Sequence, residues 1–363
     1  MEPEFPLSYK VAQFDAEGEE LCIRTIPLEY PKHGEILVKV LACGVCHSDV
    51  LVRDGVAGNS FPIVPGHEIV GNVQALGPGV KNFKIGERVG GLWHGGHDGI
   101  SVSLLPWMEV DSKAMNFALS GVCRECNRGD FQLCDNEEIN GVTRPGGYAE
   151  YCILRVEAVA RLPNDMDPAE IAPLLCAGVA TFNGIRKMEI TAGDLIAIHG
   201  LGGLGHLAVQ FASKLGYKVA ALSSQPEKEK FAWELGAHHF IDTGKIDFPT
   251  ALQELGGAAL AILSAPIPRY VQPLMRGLAP RGRLLILSPV GEFKADSALM
   301  TRRALSISGW STGHALDAEE AIDFARTHGV KCLIQKYRLD DVNKAMDDLL
   351  HARVRFRPVL VMD

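Results

Sequence analysis

Leu195-Ile-Ala-Ile-His199 runs directly into Gly200-Leu-Gly-Gly-Leu-Gly205, and around and beyond that loop Leu204, Leu207, Ala208, Phe211, Ala212 and Leu215 recur at steps of three and four. The apolar run reads as a strand buried on both faces, and the stripe as an amphipathic helix. A glycine pattern placed between such a strand and such a helix acquires a physical role. Gly200 makes the tight turn, Gly202 lets the backbone approach a pyrophosphate, and Gly205 lets the helix pack closely on the strand. Leu201 completes the loop, and the N–H groups near Gly203 and Leu204 meet an anion at the positive end of the helix. A glycine-rich turn without a ligand is the alternative.

Outward from this unit, Tyr217–Leu222, Phe240-Ile241, Leu260–Leu263 and Leu284–Leu287 read as further strands separated by helical patterns. Alternation of this kind predicts an α/β domain with a Rossmann-type, doubly wound parallel sheet. The residue closing the second strand bears on the cofactor, because a carboxylate there binds the ribose hydroxyls of NAD and repels an added phosphate. Ser223 occupies that position, with Ser224 beside it and Lys228 close behind. These residues favour NADP(H) over NAD(H). The alternative is that the serines only cap a helix beginning near Pro226.

Residues 7 to 160 have a different texture, with short runs such as Ile36–Leu41, Glu68–Val73 and Tyr148–Ile153 punctuated by Gly and Pro, which predicts an irregular β-rich domain. At 363 residues the chain suits two domains. The tail carries a helical pattern over Glu319–Thr327 and extended runs at Lys336–Leu339 and Arg357–Val361, which periodicity alone does not place.

The composition, 47% hydrophobic and 22% charged, is that of an ordinary globular protein. Lys and Arg number 36 against 44 Asp and Glu, a net charge of −8, and no basic run suits a phosphate backbone, so nucleic acid is not an expected partner. Neither a secretion signal nor a membrane span is legible, which points to a cytosolic protein. In that compartment thiols stay reduced, so cysteine spacing is read for metal. Cys22, Cys43, Cys152 and Cys332 stand singly among apolar neighbours, as packing thiols do.

Cys46-His-Ser-Asp49 and Gly66-His-Glu68 are polar clusters in apolar surroundings, and Cys176 ends the run Ala172-Pro-Leu-Leu. Cys46, His67 and Cys176 would supply the Cys2His set of a catalytic zinc, with one position left open. Gly44–Asp49, Pro65–Glu68, Cys176-Ala-Gly178 and Gly200–Gly205, in that order, resemble the zinc-containing alcohol dehydrogenases of the medium-chain dehydrogenase/reductase superfamily over essentially the whole chain.

The resemblance implies a β-rich, GroES-like catalytic domain, residues 1–163 with 303–363 returning to it, and a nucleotide-binding domain, 164–302. It implies a zinc acting as a Lewis acid while hydride passes between a small or medium-sized alcohol or aldehyde and the nicotinamide. Ser48 would carry the alcohol proton, Asp49 would orient His67, and Glu68 would be a carboxylate able to exchange onto the zinc. It implies a homo-oligomer as well. Leu51 stands where many relatives end the proton relay with His; His47 is either its substitute or a contact to the cofactor phosphates.

Cys123, Cys126 and Cys134 keep the spacing of the family's structural zinc lobe, but Ser120 replaces its first cysteine. Residues 100–121 read as an insertion whose removal brings Asp98 to the missing ligand's spacing. Asp98 is therefore the expected fourth ligand, with His97 and Ser120 as other options, or the lobe stands vacant. Two rival readings are a zinc-free quinone or enoyl reductase of the same superfamily and a non-enzymatic nucleotide-binding relative.

Overall fold

A computed structural model describes residues 5–98 and 123–362. Ser120 and the whole segment 100–121 lie outside the described residues. The strands in chain order are β1 (Ser8–Gln13), β2 (Cys22–Pro27), β3 (Glu35–Gly44), β4 (Ile69–Leu76), β5 (Arg88–Gly91), β6 (His94–Gly96), β7 (Glu138–Ile139), β8 (Tyr151–Arg155) and β9 (Val159–Arg161). They continue as β10 (Leu195–His199), β11 (Lys218–Ser223), β12 (His239–Asp242), β13 (Ala258–Leu263), β14 (Leu278–Ile286), β15 (Ser306–Gly309), β16 (Ile334–Arg338) and β17 (Arg357–Val361).

Two compact units result. One runs through Cys176 and regains Gly313–Glu320 and the chain from Ile334 onward; the other comprises Ala177–Thr312 and Ala321–Leu333. The second holds a six-stranded sheet in the order β12-β11-β10-β13-β14-β15, every pair parallel. This is the doubly wound order, reversing between β10 and β13. All five residues of β10 are buried, as expected of a central parallel strand covered on both faces. Leu195 and Ala197 join Leu222, Ala261, Leu263, Leu274 and Leu284 in one apolar cluster.

The first unit is built on β3, a ten-residue strand rich in Val, Ile and Leu that pairs antiparallel with β4, β8 and β17. Its sheet runs β16-β17-β3-β4-β5-β9. The tail that periodicity left unplaced thus lies against β3, with Leu360 opposite Cys43 and Val359 opposite Gly44. Burial of Val38, Val40, Val73, Tyr148, Leu154 and Leu360 in a shared core supplies the driving force.

Two local expectations need adjustment. Tyr148 lies before β8 because Tyr148 and Ala149 bond back to Pro65 and Val11 instead of joining the β8 ladder. Of the four single cysteines, Cys43, Cys152 and Cys332 are buried, whereas Cys22 opens an exposed strand and is only half-buried. Among the described residues no single helix is long and apolar enough to cross a membrane; the bent pair Pro168–Leu175 and Ala177–Lys187 passes by composition, but nearly all of it is packed inside the protein.

Candidate metal and dinucleotide sites

Three chain ends bring the first constellation together. Cys46 follows the end of β3, His67 and Glu68 precede β4, and Cys176 follows the short helical turn Ala172–Leu175. The β3–β4 pairing, with Cys43 opposite Ile69 and the Gly44 N–H donating to the Glu68 carbonyl, sets the first two side by side. One ligand atom from each of Cys46, His67, Glu68 and Cys176 lies within 4.8 Å of all the others. The two sulfurs are 3.9 Å apart.

The polar bookkeeping of this pocket is incomplete in a specific way. His67 is wholly buried, its Nδ1 faces the Asp49 carboxylate at 3.4 Å, and neither its Nε2 nor Glu68 Oε2 has a hydrogen-bond partner. Buried polar atoms left unpaired are costly and rare, so inward-facing donors without partners suit a cation. Two thiols, an imidazole and a carboxylate around one point are a borderline-soft set that matches zinc. The residues present fit that ion.

Charges and burial in the pocket act on the four groups in opposite directions, holding Cys46 toward its thiolate and the other three toward their protonated forms. The hydrogen bond from Cys176 and the Arg357 charge pull the Cys46 thiol well below its ordinary value, and the same hydrogen bond with burial pushes Cys176 up. Burial alone would depress His67, but the Asp49 carboxylate 3.4 Å from Nδ1 and the neighbouring Cys46 raise it instead. Burial lifts Glu68 to about 7 against the pull of Arg357.

Asp49 accepts hydrogen bonds from the Cys46 N–H at 2.9 Å and the Tyr148 hydroxyl at 2.7 Å, and its other oxygen lies 3.4 Å from His67 Nδ1. Ser48 Oγ lies 3.0 Å from Cys46 Sγ. His47 is exposed and makes no capping hydrogen bond, and Leu51, half-buried on the same helix (Ser48–Arg53), has no group to pass a proton.

Three participants escaped the sequence reading. Arg357 forms a buried ion pair with Glu68 Oε1 across 289 residues of chain. Tyr148 braces Asp49, and Trp93 sets its ring edge-to-face with His67 at 4.9 Å. Only the strand pairing of β17 with β3 discloses Arg357, since no local spacing ties it to Glu68.

The thiol lobe is assembled in part. Cys123, Cys126 and Cys134 gather within 4.8 Å, and Cys123 Sγ caps the helix Arg124–Arg128 by accepting from the Cys126 N–H at 3.4 Å. Neighbouring backbone N–H groups lower Cys123, while burial and the adjacent sulfurs push Cys126 up to about 12. Among the described residues no fourth ligand joins them. Asp98 is not in the group; its carboxylate accepts from the Asn136 amide at 2.7 Å. His97 is committed elsewhere, bonded to His94 at 3.0 Å and stacked on Phe131.

In the second unit the glycine loop takes the expected conformation. Gly200 has φ +94°, a Cβ on Gly205 would lie 1.7 Å from the Gly200 carbonyl oxygen, and one on Gly202 would meet open space. The helix Gly205–Lys214 starts at Leu204. Lys228 Nζ donates to the Leu201 carbonyl at 2.9 Å, which brings it to the loop. Ser223 is buried, its hydroxyl accepting from the Gln225 N–H at 3.2 Å, and Ser224 is exposed. The serines do not cap the helical turn Pro226–Lys228, whose N-cap position is Gln225 and which has no side-chain cap.

The chain is similar to known proteins. Residues 32–164 match the model of the alcohol dehydrogenase GroES-like domain and residues 203–350 that of the zinc-binding dehydrogenases. The chain is 48% identical over 357 residues to alcohol dehydrogenase patD of Penicillium expansum, covering 98% of both chains. It is 41% identical over 358 residues to alcohol dehydrogenase notN of Aspergillus sp. (strain MF297-2), covering 99% of each. Among solved structures, a cinnamyl alcohol dehydrogenase of Sorghum bicolor superposes with a TM-score of 0.82 at 27% identity, over 98% of this chain and 97% of that one. With both family models matched and relatives this similar end to end, the chain is an oxidoreductase belonging to the zinc-containing alcohol dehydrogenases of the medium-chain dehydrogenase/reductase superfamily.

Proposed function

We propose that this alcohol dehydrogenase holds one catalytic zinc on Cys46, His67 and Cys176, prefers NADP(H) to NAD(H), and interconverts a small or medium-sized alcohol and its carbonyl compound. The observation that carries the reading is the buried four-residue donor set, in which Nε2 of His67 has no hydrogen-bond partner while Nδ1 faces Asp49. A zinc bound there would polarise the substrate oxygen as a Lewis acid. Everything else is work for side chains. Asp49 and Tyr148 keep the His67 ring from rotating, and Trp93 packs against its face. Arg357 holds one oxygen of Glu68 and leaves Oε2 without a hydrogen-bond partner, which suits a carboxylate able to approach the ion. Ser48 Oγ, beside Cys46 Sγ, is the atom assigned to hand the substrate proton outward; His47, exposed next to it, is the next acceptor, since Leu51 has no such capacity.

Ser223, with no acid at the end of β11, and Lys228 beside the loop support the NADP(H) preference, with Ser224 exposed at the same corner. Such a preference leans toward carbonyl reduction. The family resemblance supports a homo-oligomer, and nine cysteines with no disulfide among them suit the cytosol. For the thiol lobe we propose a second, structural zinc on Cys123, Cys126 and Cys134. The deciding experiment is steady-state kinetics with NADPH and NADH against a panel of aldehydes, before and after metal stripping, alongside a metal count. Activity that survives stripping would return the zinc-free reductase reading, and one zinc per chain, unaffected by Cys123→Ser, would remove the second ion.

A further inference from the structure

His206 follows the last glycine of the loop and is fully buried in the helix Gly205–Lys214. Its Nδ1 lies 3.0 Å from the Gly202 carbonyl oxygen, and its Nε2 lies 3.3 Å from the Leu333 N–H and 3.6 Å from the Cys332 thiol. A carbonyl oxygen only accepts and a backbone N–H only donates. Nδ1 must therefore carry the proton and Nε2 must be bare, so the contacts select one neutral tautomer. One turn on, Gln210 clasps Lys331 through two hydrogen bonds of 2.9 Å.

The Gly202 carbonyl also accepts the His206 backbone N–H at 3.0 Å, so both of its lone pairs are engaged from the helix side. In a trans peptide the N–H points opposite to the C=O. Anchoring the Gly202 oxygen toward the helix therefore turns the Gly203 N–H outward, to the open space above Gly202 where an anion would be met.

The geometry points to His206 as a positioning residue for the dinucleotide: its Nδ1–H locks the Gly202 peptide in the anion-receiving orientation, and the Cys332-Leu333 segment holds its ring. This inference rests on the reading of the glycine loop as the dinucleotide site. The ring acts through the Gly202 peptide. Without Nδ1–H one lone pair of a buried carbonyl loses its partner and the peptide gains freedom to turn, which weakens binding before it affects chemistry.

The test compares fluorescence titrations of NADPH and NADH into the parent, His206→Phe, which keeps the ring and removes both hydrogen bonds, and His206→Gln, whose amide offers a donor and an acceptor. The expected result is a dinucleotide Kd and KM raised roughly tenfold in His206→Phe with kcat changed much less, and substantial recovery in His206→Gln. Gln210→Leu should lower the melting temperature without a comparable rise in Kd. Equal Kd values for parent and His206→Phe, or an equal rise in Gln210→Leu, would overturn the assignment. Should His206→Phe not fold, nitrogen-15 NMR of the parent decides, because an Nε2–H tautomer excludes the bond to Gly202. A parent that binds neither dinucleotide instead defeats the underlying loop reading, and the inference with it.

Discussion

The sulfurs of Cys46 and Cys176 lie 3.9 Å apart although 130 residues separate them in the chain. Two thiolates on one tetrahedral zinc, each at about 2.3 Å, would stand about 3.8 Å from one another. Cys176→Ser should therefore release the catalytic metal and cut kcat/KM roughly a thousandfold or more while circular dichroism stays that of the parent. Metal content and aldehyde reduction check this; a variant retaining both metal and rate would remove Cys176 from the ligand set.

Gly44 leaves room for Glu68. A Cβ there would sit 1.8 Å from Glu68 Oε2 and 2.7 Å from its carboxyl carbon. Gly44→Ala is expected to destabilise the fold by about 1–3 kcal/mol, as overpacking does. In a Glu68→Ala background the added cost should shrink by about 1 kcal/mol, because the two sites are in contact. Strict additivity in denaturant titrations would show that the strain lies elsewhere.

Ser223 faces the cofactor question directly. Ser223→Asp places a carboxylate at the end of β11, where it accepts from ribose hydroxyls and repels a phosphate. The ratio of kcat/KM for NADPH over NADH should fall by at least about tenfold, since juxtaposing like charges costs several kcal/mol. An unchanged ratio would mean that this corner does not select the cofactor.

His199, the last residue of β10, is buried with Nδ1 unpartnered and its ring 3.9 Å from that of Tyr270. Burial lowers its pKa from 6.5 to about 4. The folded state thus binds the proton more weakly than the unfolded one, so this contribution is fully present above about 6.5 and is lost as pH falls toward 4, on the order of 3 kcal/mol in all. His199→Phe keeps the stack and removes the ionisation. Between about pH 7 and pH 4.5 the parent should lose more melting temperature than the variant; parallel acid profiles would contradict this.

The strand-loop-helix at Leu195–Leu215 was legible because its information is local: a buried run, a turn only glycine fits and a 3.6-residue stripe each lie within a few residues. The same holds for Cys46, His67 and Cys176, whose residue types and order disclosed a ligand set before any distance was known. Arg357 against Glu68, Tyr148 against Asp49 and His206 against Leu333 had no such signature. Each depends on which strands pair and which crossover returns where. Those choices are made by burial of apolar faces distributed over the whole chain, and a hydrogen bond between residues 289 positions apart is fixed only once that burial has brought its ends together.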